Sequence, residues 1–179
     1  MKNLLIIALA LMAPTIEAVA QDKGSLNDTQ IIGILIAANE VDIHAAELAE
    51  SKTTNEQVKA FANTMISEHT DVNRQVVELA KKLNITPEEG KISKSLKQDR
   101  QKNLTRLKKM SGKRFDKGYV YQEIVLHKQV IDVINHKLMP NARNDELKAL
   151  LTKIKPALVS HLAEAERLEV NVDQMHYPK

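Results

Sequence analysis

The 179-residue chain has no cysteine and no tryptophan, and only 3% of it is aromatic. Without cysteine there can be no disulfide, no thiol nucleophile, no zinc-finger-type site and no lipid attachment of the bacterial lipoprotein kind. With so few rings there is no platform for stacking sugars or single-stranded nucleic acid. Glycine and proline are also scarce, at five residues each. No glycine-rich phosphate loop and no nucleophile–base arrangement can be read, so hydrolase and nucleotide chemistry find no support. Long apolar runs are missing as well. The run "LLIIALALMA" near the start covers about ten residues, too short to cross a bilayer. No repeat of fixed period and no low-complexity tract occurs.

What is present begins with an export signal. Met1 and Lys2 give a cationic start, the apolar run follows, and Ala18-Val19-Ala20 forms a small-x-small cleavage site before Gln21. This pattern predicts a cleaved signal peptide over 1–20 and a periplasmic mature chain with no span left after cleavage. The remainder divides into one domain over 21–170, long enough for a real core, and a flexible tail over 171–179. Alanine, leucine, lysine, glutamate and isoleucine dominate, which is the composition of an all-helical protein.

Five helical segments follow from caps and apolar period. The first runs from a cap at Asn27 or Asp28 to about Ser51. The second is capped within "TTNEQ", where Thr53 and Thr54 face Glu56 and Gln57, and reaches about Leu83. The third starts at "ITPEE", with Thr86 as cap and Pro87 in the first turn, and ends near Met110. The fourth spans Asp116 to about Leu138. The fifth runs from the Asn144 cap to about Val170 and contains Pro156, where a bend is expected. Short connections make antiparallel hairpins of the first two and the last two helices. About thirty residues join the hairpins and carry the third helix. Two hairpins with one long crossover define a ferritin-like four-helix bundle rather than the simple up-down form.

Three of the long helices place a histidine in the buried stripe. His69 interrupts Val58, Ala62, Met65, Val72, Val76. His127 interrupts Val120, Ile124, Ile131, Ile134, and His161 interrupts Leu151, Ile154, Leu158, Ala165. On the first helix, Glu40 falls in the row Gly33, Ile36, Glu40, Ile43, Glu47. One inward polar residue per helix, at similar depth, is the pattern of convergent ligands. Three neutral imidazoles and a carboxylate satisfy a divalent transition metal such as zinc, iron, copper or manganese. His44, Glu123 and Glu164 sit one turn from these positions and are candidates to support them. A metal-free polar network of Glu40, His69, His127 and His161 that fixes packing register satisfies the same pattern. Di-iron chemistry of the ferritin type requires inward glutamates and Glu-x-x-His, which these helices lack. A mononuclear site fits better.

Charge is concentrated in the crossover. Residues 84–115 hold ten Lys or Arg against three acids, an excess larger than the net +3 of the whole chain. Lys94, Lys97, Arg100, Arg106, Lys108 and Lys109 form either a contact face for an anionic envelope surface or a solvated helix face. Nucleic acid is not expected as a partner.

The segments "AANEVDIHAAELA", "VKAFANTMISEHTDVN", "FDKGYVYQEIVLHKQVIDV" and "LKALLTKIKPALVSHLAEAERL", in this order after a signal peptide, resemble the bacterial domain-of-unknown-function family 4142. The resemblance covers essentially the whole mature chain. It implies a ferritin-like bundle exported to the periplasm, with Glu40, His69, His127 and His161 as motif positions, and it implies no activity. Members also carry an outer-membrane label, but nothing here alternates like a barrel strand. Three functions follow as expectations: an exported metal-binding bundle serving metal handling or envelope stress, a redox metalloenzyme, or a metal-free envelope module acting through the basic crossover.

Overall fold

The computed structural model describes residues 26–174, which form helices joined by short connections, with no strand among them. The expected signal peptide over 1–20 and the last five residues of the expected tail lie outside the described residues. The helices are α1 (Asp28–Lys52), α2 (Glu56–Lys82), α3 (Lys91–Lys108), α4 (Gly112–Val133) and α5 (Asp145–Gln174). After Val133 the α4 rod continues through a π-helical segment, Ile134–Leu138, and a last turn, Met139–Asn141. No described helix is long and apolar enough to cross a membrane.

Local chemistry sets the ends. Asn27 caps α1 in a reciprocal box, accepting from the Gln30 N–H at 2.8 Å while the Gln30 side chain accepts from the Asn27 N–H. At α2 the cap is Asn55, which accepts from the N–H groups of Gln57 and Val58. The threonines expected there take no such part. The Thr53 hydroxyl instead donates to Asp116 at 2.7 Å, tying the α1–α2 turn to the start of α4. Asn144 caps α5 as expected. The Asp28 carboxylate accepts from the N–H groups of Arg143 and Asn144 at 2.8 and 3.0 Å, docking the α4–α5 turn on the start of α1.

Residues 53–55 and 142–144 are the two hairpin turns. Pairs down the seams fix the antiparallel register: Glu50 with Lys59 at 3.4 Å, Glu166 with Lys128 at 2.8 Å and Asp173 with Lys117 at 2.7 Å. Between the hairpins, α2 ends in a Schellman motif. The N–H of Ile85 bonds the Ala80 carbonyl, that of Asn84 bonds Lys81, and Asn84 takes the left-handed conformation at φ +53°.

The third helix starts later than "ITPEE" predicts, at Lys91. Its would-be first turn is held extended by α1, because the Glu88 N–H bonds the Thr29 carbonyl at 3.1 Å. The Glu88 carbonyl lies against Gly33, so close that a Cβ there would sit 2.1 Å from its oxygen. Gly33 is therefore a docking point for the crossover, which then lays α3 mainly along α1. At the other end of the described residues, α5 runs past Val170 to Gln174 with Val172 fully buried, so residues 171–174 belong to the helix rather than to the expected tail.

The core has two apolar halves. One gathers Ala45, Ala49, Phe61, Met65, Phe115, Tyr119, Leu168 and their neighbours. The other gathers Ile31, Leu35, Val76, Ile134, Leu151, Ile154 and theirs. On α1, α2, α4 and α5 the residues of one half are separated from those of the other by buried polar positions: Asn39 and Asp42, His69, His127 and His161, with the buried Glu123 one turn before His127.

Replacing Gly33 by alanine should raise local helix propensity by about 1 kcal/mol, yet the clash is with backbone, which cannot swing away. We expect Gly33→Ala to destabilise the fold by roughly 1–3 kcal/mol in a urea melt. Gly90→Ala, whose Cβ meets nothing nearer than 3.9 Å, should stay within about 0.5 kcal/mol of the parent.

Candidate metal centre

His69 is the middle residue of the 27-residue α2, and His127 and His161 lie at the same level on α4 and α5. The three rings form a near-equilateral triangle with centroids 5.6, 5.3 and 5.4 Å apart. All three are buried.

Each ring is held from outside through one nitrogen. His69 Nδ1 donates to Asn39 Oδ1 at 2.9 Å, His127 Nδ1 donates to the Glu123 carbonyl at 2.9 Å, and His161 Nε2 donates to Glu68 Oε2 at 2.8 Å. That assignment leaves a lone pair on His69 Nε2, His127 Nε2 and His161 Nδ1. None of these three atoms has a hydrogen-bond partner among the described residues. Burial lowers the pKa of His69, to about 3, with His161 adding to the effect, and burial is also the main cause that lowers His127. These two rings are therefore neutral at physiological pH, the form that ligates metals.

Two carboxylates complete the layer. Asp42 Oδ2 lies 3.3 Å from His69 Nε2 and 3.7 Å from His127 Nε2. Glu123, fully buried, has Oε2 at 3.7 Å from His127 Nδ1. Among the described residues no other side chain donates to either carboxyl, and the two lie against each other, within reach of one shared proton. Burial pushes the Asp42 pKa up, against the opposing pull of His127 and His161. Glu123 is pushed well up, first by burial and then by the charge of Asp42. Behind them the buried Tyr119 hydroxyl also has no hydrogen-bond partner among the described residues. Two groups could hold a cation: His69, His127 and His161, and Asp42, Glu123 and His127, each offering ligand atoms within 4.8 Å of one another.

The structure brings together His69, His127, His161 and Glu123 of the positions read from sequence. It does not bring in Glu40. That side chain is 37% exposed and faces Arg100 at 3.8 Å, toward the crossover rather than the core. The inward carboxylate of α1 is Asp42, in the row Leu35, Asn39, Asp42, Ala46, Ala49. The physical reason is that α1 is covered by α2, α3 and α4. Apolar residues surround it so widely that their spacing leaves the inward phase undecided. The buried polar pair Asn39 and Asp42, spaced by three, was the available signal.

His44 is exposed, with its ring on the Glu40 carbonyl and near Arg100. Glu164 faces Arg167 at 3.8 Å. Neither reaches the cluster. Glu68, absent from the sequence reading, reaches His161 from the solvent side of α2. Of the basic row, Lys97 pairs with Glu89 and Arg100 with Glu40, while Arg106 bonds Asn103 and the Gly118 carbonyl. Lys94, Lys108 and Lys109 are exposed.

Fold and site together define an all-α protein whose apolar core is divided by a buried histidine and carboxylate layer. The chain belongs to the family described as domain of unknown function (DUF4142), whose profile matches residues 13–168. No curated protein and no solved structure matches it.

Two buried carboxyls that have only each other to share a proton with are costly until a cation arrives. We therefore expect Asp42→Asn to stabilise the metal-free protein, by about 1 kcal/mol or more in a chelator-treated thermal melt. A loss of stability in that melt would mean that the carboxylate has a structural partner instead.

Proposed function

We propose that this protein is an exported, ferritin-like helical bundle that binds one divalent transition metal through His69, His127, His161 and Asp42. The reading rests on one observation: every ring is tied outward by one nitrogen and presents the other, unpartnered, to the same buried point. Outer partners that fix tautomer and orientation are the usual second layer of a histidine metal site. Spacing supports the same reading. Bonds of about 2.0–2.1 Å in a tetrahedral site put donors roughly 3.4 Å apart. Asp42 Oδ2 stands at 3.3 and 3.7 Å from two of the nitrogens.

A metal-free network meets these atoms less well. Three imidazole lone pairs and four carboxyl oxygens face inward. Among the described residues the hydroxyls beside them are those of the two carboxyls, if protonated, and of Tyr119. A cation accepts several of these electron pairs at once and reverses the burial penalty on the carboxylates. Zinc, iron, copper and manganese all suit three imidazoles and a carboxylate. The leader expected over 1–20 would place this activity in the periplasm, in metal handling or envelope stress. A second reading, a redox metalloenzyme, is favoured by the open space beside the donors. Turnover of peroxide or superoxide, lost in His127→Ala, would select it.

Protein exported natively should carry about one metal per chain. At a free metal concentration a thousandfold above Kd, binding adds about 4 kcal/mol. Chelation should then lower the melting temperature by roughly 8–16 °C for a domain of this size. No stoichiometric metal together with an unchanged melt would sink the proposal. Glu68→Gln, which weakens the outer hold on His161, should reduce metal affinity by about 10–100-fold in a competition titration, without unfolding the chain.

A further inference from the structure

Beside the donors the helices leave a chamber of about 40 Å³. His69, His127, His161 and Asp42 all line it. So do Leu35, Ile134 and Ile154, each seven residues from a donor on its own helix, or roughly 10 Å along the axis. The space therefore continues from the donor cluster into one apolar half of the core. Val72, Val130 and Leu158 complete the walls there. The centre is two-sided: Glu123 and Tyr119 sit with the other half, and beyond Asn39 and Glu68 the chamber side is hydrocarbon.

Size and polarity restrict what such a space can take. A water-sized atom needs about 10–15 Å³ by this measure, so 40 Å³ holds roughly three. Away from the donor cluster and the two side chains that hold its rings, Asn39 and Glu68, the lining side chains are all apolar and offer no hydrogen bond. A guest with polar groups at both ends would leave one of them unmet, at about 2–7 kcal/mol. Building on the metal reading above, we propose that the chamber receives an exogenous ligand of two or three non-hydrogen atoms, bound by one end at the histidine cluster, and excludes organic substrates. The centre would then act on small inorganic molecules, with Val72 and Val130 as the residues that set the size limit.

The test uses cobalt(II) as a visible reporter and azide, three atoms long, as the probe, with imidazole as a bulkier competitor. Azide should shift the cobalt absorption bands saturably, and imidazole at the same concentration should not. In Val72→Leu/Val130→Leu, cobalt should bind within about threefold of the parent while azide affinity falls at least tenfold. Failure to take up cobalt overturns the metal reading and this inference with it. Cobalt uptake with no azide response overturns the inference alone. So does an equal response to imidazole, or unchanged azide affinity in the filled variant that still binds cobalt.

Discussion

The structure turns on the cost of placing ionisable groups in the middle of an apolar core. A buried neutral polar group without a partner costs about 2–7 kcal/mol, and a buried charge costs more. Here four helices accept that cost at one level. Three imidazoles and two carboxyls form a slab between two hydrocarbon halves, and each ring recovers one hydrogen bond from outside the slab. Because the groups need one another, the helices must bring them to the same height. A slip of one turn would move a residue by about 5.4 Å and strand it in hydrocarbon. The seam ion pairs and the two capped turns hold the hairpins in that register.

Much of this was legible because α2, α4 and α5 each bury one face, so a histidine within the apolar row announces its direction. His69, His127 and His161 meet where the spacing placed them. On α1 that logic fails, since neighbours on three sides bury the helix broadly and two polar rows compete. Glu40 is flanked in its row by Ile36 and Ile43. Those isoleucines line the side toward the crossover, whereas Asp42 is flanked by Asn39 and alanines that let the inner helices approach. With Val172 buried and α5 reaching Gln174, His161 falls close to its middle. The start of α3 was beyond local reading. "ITPEE" carries a strong helix-start pattern, but a main-chain bond to Thr29 and the bare Gly33 surface outcompete it.

Glu40 has a structural part to play. Its pairing with Arg100 lies where α3 rests on α1, and the exposed pair is worth no more than about 1 kcal/mol. Geometry adds to it. Lys52, near the end of α1, donates to the Lys108 carbonyl at 2.6 Å and the Leu107 carbonyl at 3.4 Å, closing the last turn of α3. The crossover is thus fastened at Gly33, at Glu40 and at Lys52, along one side of a single helix. Of its positive residues, Arg100 joins in this fastening, Lys97 and Lys102 pair with Glu89 and Asp99 within the crossover, and Lys113 donates to the Asp173 carbonyl.

A chain without cysteine must hold itself by packing or by packing plus a ligand. The two apolar halves supply the packing, but the slab between them works against it as long as the carboxyls face each other and unpartnered imidazole lone pairs. Burial has already moved the site toward the state a cation needs, with His69 and His127 neutral and their lone pairs turned inward. It also leaves Asp42 and Glu123 reluctant to ionise, so a bound cation has protons to displace from them. Metal affinity and apo stability are then opposite uses of the same residues. Substitutions that relieve the slab should make a firmer empty protein and a poorer metal site, the trade expected where function is stored as local destabilisation.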